Sequence, residues 1–496
     1  MRPGDFSHAK ASCDKMSVSP TFSVDVLRDI EAELSEPTFR GVPIGPVLSS
    51  ACFIKLRDKH GDWSWLARWK NRARQIKYFL RSGGNATAFQ IIPKDRILVT
   101  WFYDNFRVNE LIRPVIEAIG PERCVVLGGS QDVLPLVPQG AVATDWDQVV
   151  HFDVSAWRAD YLKCRPEWHR RLRNLCRKHN MPRAVCDSFA FHIMVASRSV
   201  AGCLEFLQFA RPAVVLTEYD RNDHWSPLVL SACLLGIPTL TMVHGVMGER
   251  AVGFTPVLAD KILCWGEMQR RQLIEGGERR AEIIVVGCPR LTRELSVTSA
   301  EAKTKLGLPA DKPAILLGTT PVSKHDCLAI AETFCAAVAN IAQVSSIVRL
   351  HPSERLETYE SVIHRYPNVR FFQNADSMLD ESLAAADIVV VPNSGLGSDA
   401  LVKRRLVIAL DLPNMPLGHG RDLIDRAGCP RASSSESLRE IVPKLLADSP
   451  NRHACETARE TFVADFIAYF GKEAAKQTAK AVISSARTET SRQCDS

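Results

Sequence analysis

Two polar segments of this chain follow short apolar runs and carry groups that suit an anionic ligand. The first is RLHPSE, in which Arg349, His351 and Pro352 come after the run SSIV. The second is PNSGLGSDAL after DIVVV, and its candidate ligand groups are Asn393, Ser394, Gly395, Ser398 and Asp399. Glycines before a helix let backbone N–H groups approach an anion, and the helix N-terminus favours negative charge. A nucleotide monophosphate or diphosphate would suit such segments.

Each segment alone has a plainer interpretation. A His-Pro pair after a strand is most often just the start of a loop, because proline cannot donate to the strand ladder and disfavours helix at the preceding residue. Two such segments at the carboxyl ends of strands in one sheet favour the binding interpretation over the plainer one.

Two other segments offer groups that could accept a proton. TEYDRNDHW carries Glu218 and Asp220 after one apolar run, and VHGVMGERAVG carries His244 after the next. A carboxylate or an imidazole can act as a general base, and an unperturbed histidine is largely neutral at pH 7. For the acidic segment, the alternative is a solvated loop with a helix cap at Asp223 or Ser226. His244 precedes a glycine, which leaves room for a ligand.

These segments are joined by a regular alternation of strands and helices from residue 96 onward. Runs such as ILVTWF, CVVLGG, QVVHFDV, TLTMV and AILLG are short, apolar and rich in β-branched residues. The alternation predicts an α/β fold with two Rossmann-like, doubly wound domains facing a cleft, plus a helical N-terminal extension and a C-terminal helix. Ligands of such sheets bind beyond the carboxyl ends of the strands, where all four polar segments fall.

The predicted domain boundaries follow changes in composition. Residues 1–90 form an extension that is partly disordered and partly helical, and 91–295 form the first Rossmann-like domain. Residues 296–450 form the second such domain, and 451–496 form a C-terminal helix and tail. The main boundary follows from a polar, Ser/Thr-rich stretch between Gly287 and Pro313.

Composition excludes several classes of protein. Hydrophobic content of 46% and charged content of 24% are those of a globular protein, and a net charge of +6 does not demand a nucleic-acid partner. The 15 cysteines show no zinc spacing, so reduced thiols and no metal are expected.

P-loop, first-strand GxGxxG and GxSxG motifs are absent, which argues against ATP hydrolysis, NAD chemistry and α/β-hydrolase activity. With neither a signal peptide nor a membrane-spanning run, we expect a cytoplasmic protein, with peripheral membrane contact left open.

One basic and aromatic segment, WSWLARWKNRARQIKYFL, predicts a helix near the N-terminus. Trp65, Trp69, Ile76 and Phe79 could share one stripe between arginines and lysines. Such a helix could lie on anionic lipid at the inner face of the cell membrane. The alternative, favoured by how common such helices are in globular proteins, is a helix packed on a neighbouring domain with a solvated basic face.

The order of these motifs resembles that of bacterial surface-polysaccharide glycosyltransferases of the GT-B type. The segment from HGVMG through AD-KILC-WG to VVGCPR is similar to the end of their first domain. RLHPSE resembles the HP motif of bacterial sialyl- and Kdo-transferases and the equivalent turn of CDP-glycerol glycerophosphotransferases. PNSGLGSDAL resembles the nucleotide-holding loop of these enzymes, and UDP-GlcNAc 2-epimerase has a related loop. The similarity extends from about Ala213 to Leu410.

The resemblance implies a glycosyltransferase acting in capsule or lipopolysaccharide synthesis. It would move a sugar or polyol phosphate from a nucleotide-activated donor, CMP- or CDP-linked, to a glycan or lipid-linked acceptor. GT-B enzymes generally need no metal or other cofactor, because helix N-termini and basic groups stabilise the leaving phosphate. A sugar-nucleotide epimerase and an inactive scaffold on the same fold remain open.

The resemblance also implies roles for individual residues. His351 and Pro352 match the HP motif at the nucleotide phosphate or ribose, and Arg349 lies beside them. Ser394, Gly395 and Ser398 match the phosphate loop next to Asn393, and Asp399 matches a ribose-binding acid. His244 matches a first-domain histidine and is the expected base, with Asp220 and then Glu218 as alternatives.

Overall fold

The computed structural model describes most of the chain. The described residues are 20–48, 65–80, 92–149, 153–248, 251, 253–341, 343–373, 378–392, 395–413, 415 and 419–486. Two predicted ligand residues, Asn393 and Ser394, lie outside them.

The first sheet has seven parallel strands in the order β3-β2-β1-β4-β5-β6-β7. The strands are β1 (Ile97–Trp101), β2 (Cys124–Gly128), β3 (Val142–Asp145), β4 (Val214–Thr217), β5 (Thr239–Met242), β6 (Lys261–Cys264) and β7 (Glu282–Val285). The strand order reverses between β1 and β4, which pair as neighbours. Such a switch point is where doubly wound sheets bind ligands.

The second sheet has six parallel strands in the order β10-β9-β8-β11-β12-β13. The strands are β8 (Ala314–Gly318), β9 (Ser345–Arg349), β10 (Arg370–Phe372), β11 (Ile388–Val391), β12 (Leu406–Leu410) and β13 (Arg431–Ala432). Its switch point lies between β8 and β11. The two sheets confirm the predicted α/β fold with two Rossmann-like, doubly wound domains.

Helices flank both sheets and form a separate helical unit. They are α1 (Pro20–Glu33), α2 (Trp65–Leu80), α3 (Phe106–Ile119), α4 (Trp146–Val149), α5 (Val154–Lys178), α6 (Arg183–Ala210), α7 (Trp225–Leu234), α8 (Glu267–Glu275), α9 (Ser299–Lys305), α10 (Lys324–Val338), α11 (Glu360–Arg365), α12 (Leu379–Ala385), α13 (Leu396–Val402), α14 (His419–Asp425), α15 (Ser435–Leu446), α16 (Pro450–Phe466) and α17 (Gly471–Ser485).

The described residues of QVVHFDV do not form the predicted strand, and residues 150–152 lie outside the described part of the chain. Gln148 and Val149 belong to the short helix α4, and the preceding strand is β3, which ends at Asp145. β3 is an edge strand and only its last two residues are buried. An edge strand needs little apolar sequence, so the more apolar run downstream gave a misleading signal.

The chain divides into two compact units. One contains 1–91, 147–209 and 221–235, and the other contains 92–146, 210–220 and 236–496, with both sheets. The predicted first Rossmann-like domain, 91–295, includes the segment from 147 to 235. Most of this segment packs with the N-terminal helices, where Trp157, Trp168 and Phe189 are fully buried.

Helix α6 lies in this helical unit and is long and apolar enough to cross a membrane by length and composition alone. However, 78% of its most apolar window is buried inside the protein. Its residues Phe189, Ile193 and Val200 are fully buried in the core of the unit. This burial is that of a core helix.

The last helix, α17, belongs to the first sheet. Its residues Ala475, Ala479 and Val482 are buried in the same core as Val99 on β1. The chain reaches this position from the second sheet by passing close to the end of β7. A Cβ atom on Gly287 would lie 2.2 Å from the carbonyl oxygen of Tyr469, so the two backbones are nearly in contact there.

Candidate functional site

The switch point of the second sheet is shaped by two glycines. A Cβ atom on Gly318, the last residue of β8, would lie 2.2 Å from Cδ2 of Leu396. This glycine therefore lets the start of α13 pack against the end of β8. Gly395, just before α13, is open: the nearest atom to an added Cβ would be Nη1 of Arg107, at 3.6 Å. Arg107 lies at the start of α3, so the first sheet places a cation beside the predicted phosphate loop.

The turn after β9 holds His351 in a defined orientation. The backbone N–H of His351 donates to Oγ1 of Thr319, at 2.9 Å, and to Oε2 of Glu354, at 3.0 Å. The backbone N–H of Ser353 donates to Nδ1 of the His351 ring, at 3.2 Å. Nδ1 of the ring also lies 2.8 Å from Oγ of Ser353. The backbone N–H and the hydroxyl of Ser353 therefore both hold the Nδ1 edge of the ring, and the turn itself orients the imidazole.

The carboxylate of Glu354 holds this turn together. Besides the His351 N–H, it accepts hydrogen bonds from Oγ1 of Thr319, from the hydroxyl of Tyr359 at 2.6 Å and from Sγ of Cys327 at 3.1 Å. Burial, followed by the nearby Glu354 carboxylate, raises the pKa of Tyr359, which keeps its hydroxyl protonated as a donor. Glu354 thus ties the ends of β8 and β9 to α10 and to the short helix at Leu356–Tyr359.

Two other predicted residues of this turn have different environments. Arg349 is the last residue of β9 and is 7% exposed, and its carbonyl accepts from the Thr319 N–H at 3.1 Å. Pro352 is exposed. The turn therefore presents Pro352 to solvent and keeps Arg349 within the sheet.

Asp399, the predicted ribose-binding acid, pairs with an arginine from the first sheet. Nη2 of Arg290 lies 2.9 Å from one carboxylate oxygen of Asp399, and Nη1 lies 3.3 Å from the other. Both side chains are almost fully buried, at 8% and 3% exposed. Burial opposes ionisation of Asp399, but the charges of Arg290 and Arg107 outweigh it and hold the pKa of this carboxyl below its ordinary value. Ser398, one residue earlier on α13, is also buried.

This ion pair brings the carboxyl ends of the two sheets together. Arg290 follows β7 of the first sheet, and Asp399 lies on the helix after β11 of the second. The predicted second-sheet groups and the cations Arg107 and Arg290 therefore lie where the two sheets meet.

At the switch point of the first sheet, the two predicted carboxylates already hold other groups. Oγ1 of Thr100, on β1, donates to Oε2 of Glu218, which is 3% exposed. Oδ2 of Asp220 accepts from the backbone N–H groups of Leu258, at 2.7 Å, and Ala259, at 3.0 Å. Asp220 is 2% exposed. These bonds orient a loop and a strand, and neither carboxylate is directed toward a ligand by them.

His244 follows β5, next to that switch point. Its ring lies between two aromatic rings, with centroid distances of 4.6 Å to Tyr219 and 5.2 Å to Phe254. Its Nδ1 atom is buried and has no hydrogen-bond partner among the described residues. Burial lowers the pKa of His244 to about 4. The expectation of an unperturbed pKa was therefore wrong, because the aromatic surroundings desolvate the charged form.

The backbone around His244 is fixed by its neighbours. Nε1 of Trp265 donates to the carbonyl of Val243, at 2.8 Å, and Nε2 of Gln269 donates to the carbonyl of Gly245, at 3.3 Å. An added Cβ on Gly245 would meet no atom within 4 Å. The backbone on both sides of His244 is thus held in place, and open space lies beside Gly245.

Sequence reasoning missed four residues of this region. Thr319 and Glu354 had a signal, because one follows β8 directly and the other ends the HPSE segment. Arg290 ends the GCPR turn quoted in the resemblance, but no role was assigned to it. Arg107 lies in the ordinary polar stretch after β1 and gave no signal. Among the described residues, no group of three or more His, Cys, Asp or Glu side chains is arranged to hold a metal ion.

No family model and no curated protein sequence matches this chain. Solved structures match its fold. A glycosyltransferase from Rickettsia africae ESF-5 superposes with a TM-score of 0.50 at 13% identity, over 79% of this chain and 98% of that chain. A UDP-N-acetylglucosamine 2-epimerase superposes with a TM-score of 0.50 at 12% identity, over 79% of this chain and 96% of that chain. At such identities, the matches establish a shared fold, that of GT-B glycosyltransferases and 2-epimerases.

Proposed function

We propose that this chain is a metal-independent glycosyltransferase that uses a nucleotide-activated donor. The group transferred is a sugar or a polyol phosphate, and the acceptor is a glycan or a lipid-linked glycan of capsule or lipopolysaccharide synthesis. The CMP- or CDP-linked donor follows from the resemblance of RLHPSE to the HP motif. Such an acceptor is made at the cytoplasmic face of the membrane, which is where the protein would work.

One observation carries this proposal: cationic and hydrogen-bond donor groups converge where the carboxyl ends of the two sheets meet. His351 follows β9 of the second sheet and its ring is oriented by Ser353, and Arg107, from the first sheet, lies beside the open Gly395. A leaving nucleotide gains negative charge as its bond to the sugar breaks, and donors already in place stabilise that charge. Asn393 and Ser394 are proposed to complete the phosphate loop.

His244 is the proposed base. The residue is partly exposed while its Nδ1 atom is buried, so an acceptor hydroxyl would meet the ring at its Nε2 edge. A pKa of about 4 makes it a weak base at rest. Two effects offset this: nearby phosphate charge raises a histidine pKa, and a hydroxyl that attacks an oxocarbenium-like centre becomes strongly acidic.

The same fold could instead carry an epimerase, and the carboxylates argue against it. Inverting a carbon centre of the sugar requires groups that remove and return a proton at carbon. Glu218 and Asp220 are the acidic candidates, and both are buried and engaged in the hydrogen bonds described above. His244 alone supplies one base, which is what a transfer reaction needs.

The first test is nucleotide binding. Thermal unfolding would be followed with CMP, CDP, UDP and GDP, and a nucleotide at a hundred times its Kd should stabilise the protein by about 2.7 kcal/mol. His351→Ala should lose most of that stabilisation while its Tm without ligand stays near that of the parent protein. His364→Ala, an exposed histidine on α11, is the matched control and should bind as the parent does.

The second step separates the three functions. A transferase releases nucleotide from its activated donor only when an acceptor glycan is present. An epimerase converts the donor without acceptor, which NMR of the sugar detects. Nucleotide binding without turnover under any condition would identify the chain as an inactive scaffold. If none of the four nucleotides binds, the proposal is refuted.

A further inference from the structure

Helix α2 presents an apolar face to solvent. Trp69, Ile76 and Leu80 are 62%, 62% and 66% exposed, and Ala73 between them is also exposed. Their spacing of four, three and four residues places all four on one side of the helix. The face runs for about 16 Å along the helix axis at 1.5 Å per residue. A continuous exposed apolar stripe of this kind is unusual on a globular surface and marks a contact site.

The opposite side of α2 is packed within its own helical unit. The Phe79 ring lies 5.7 Å from Trp157 and 6.1 Å from Tyr161, and the Tyr78 ring lies 5.7 Å from Phe191. Nε2 of Gln75 donates to the carbonyl of Asp187, at 2.9 Å. The predicted packing of the helix on the rest of the protein therefore accounts for one side of α2. The apolar stripe lies outside that contact.

Basic side chains lie beside the stripe, with Lys70 and Lys77 on one side and Arg72 on the other. Lys70, Arg72, Arg74 and Lys77 are exposed, and α2 contains no acidic residue. Arg72 lies 4.0 Å from Asp187, and the other three have no ion-pair partner in the part of the chain that the structure describes. The exposed face is therefore both apolar and strongly positive.

Another exposed apolar residue lies on the helix that contacts the end of α2. Nε of Arg158 donates to the carbonyl of Phe79, at 2.8 Å, which places α5 beside the end of α2. Leu162 follows Arg158 by one turn of α5 and is 50% exposed. Leu80 and Leu162 thus extend the surface at the same end of the unit.

We propose that this face of α2 binds the surface of a bilayer rich in anionic phospholipid, with the helix lying in the plane of the interface. Trp69, Ile76 and Leu80 would enter the boundary between headgroups and acyl chains. Lys70 and Lys77, at the edge of the stripe, would contact lipid phosphates, and Arg74, further round the helix, would add positive charge close to the surface. A tryptophan beside lysines and arginines is the composition expected of an interfacial helix.

Charge decides against a second copy of this chain as the occupant. A two-fold interface places the same patch on both partners, so two positive faces would meet. Like charges opposed across an interface are unfavourable, whereas an anionic lipid surface attracts each lysine or arginine near it. Lipid binding needs no donor and no turnover, so the proposal is independent of the transferase reaction.

The test is cosedimentation of the full chain with vesicles of phosphatidylcholine alone and of phosphatidylcholine mixed with phosphatidylglycerol. We expect binding to the mixed vesicles, weaker binding to the neutral ones and a decline at high ionic strength. The triple variant Lys70→Gln, Arg74→Gln, Lys77→Gln should lower partitioning to the mixed vesicles by roughly a hundredfold. The double variant Trp69→Ser, Ile76→Ser should also lose binding.

A matched control removes the same charge from another exposed helix surface. The triple variant Lys472→Gln, Lys476→Gln, Lys480→Gln on α17 should bind as the parent protein does. Equal loss in this control would reduce the effect to net charge and overturn the proposal. Unchanged lipid binding by the α2 variants would also overturn it. Light scattering adds a check on self-association: if the α2 variants lose self-association and keep lipid binding, the face binds a second copy of the chain and the proposal is overturned.

Discussion

The two candidate histidines differ in what their Nδ1 atoms contact. Nδ1 of His351 contacts the backbone N–H of Ser353, at 3.2 Å, and its hydroxyl, at 2.8 Å, so the turn orients the ring. Nδ1 of His244 is buried among aromatic rings with no hydrogen-bond partner in the described residues. Burial lowers the pKa of His244 to about 4, so the ring is neutral at rest. At the scale of single residues, His351 is oriented by its own turn, whereas His244 is a neutral base whose protonated form needs the charge of a bound anion.

Substitution of the proposed base separates it from its acidic alternative. We expect His244→Ala to lower kcat by roughly a hundredfold or more with little change in nucleotide affinity. Asp220→Ala should act on stability, because it leaves two buried backbone N–H groups without their acceptor, at a cost of about 1–3 kcal/mol each. Steady-state kinetics and thermal unfolding of both variants provide the check. If Asp220→Ala abolishes turnover in a stable protein while His244→Ala remains active, the roles are exchanged.

At the scale of elements, the strands were predictable and their connections were not. The apolar, β-branched runs identified most of the strands, because buried parallel strands require such residues on both faces. The return of α17 to the first sheet could not be predicted from the sequence, since Ala475, Ala479 and Val482 resemble any amphipathic helix. Likewise, Arg290 and Asp399 are 109 residues apart, and no local pattern links them. The tertiary contacts, rather than the local sequence, determine these features.

The crossing at Gly287 can be tested with a pair of glycines. Gly287 and Gly277 have φ values of +82° and +98°, where any side chain strains the backbone. An added Cβ at Gly277 meets no atom within 4 Å, whereas at Gly287 it would lie 2.2 Å from the Tyr469 carbonyl oxygen. Gly277→Ala should lower the free energy of unfolding by about 1–2 kcal/mol.

Gly287→Ala should lower it by clearly more, because the two chain segments must also move apart. Urea unfolding of both variants under identical conditions measures the difference. Equal losses would mean that the close approach at Gly287 contributes nothing beyond backbone strain.

At the scale of the whole molecule, three histidines are expected to govern stability toward acid. Burial lowers the pKa values of His169, His224 and His244 to about 4, from an ordinary value of 6.5. In the unfolded chain these rings bind protons as the pH falls below about 6.5, whereas in the folded protein they stay neutral until about 4. Lowering the pH through this window therefore favours unfolding.

We expect Tm to be nearly constant above about pH 7 and to fall as the pH drops from 6.5 toward 4. Each histidine adds at most about 1.4 kcal/mol per pH unit to the slope, less where solvent reaches the ring. Replacing all three with glutamine should flatten the decline. A decline that begins only below pH 4 would assign the effect to carboxylates instead.

The position of α17 has a consequence for how the protein is made. A ribosome delivers the chain from its first residue, and domains generally fold in that order. Here, the core around β1 stays incomplete until residues 471–485 have emerged, because Ala475, Ala479 and Val482 fill part of it. The second Rossmann-like domain is synthesised later, yet all six strands of its sheet have emerged before α17 does. The nascent chain is therefore expected to complete the core of its first sheet last. A chain that ends before α17 should fail to fold its first Rossmann-like domain stably, although every strand of that domain is present.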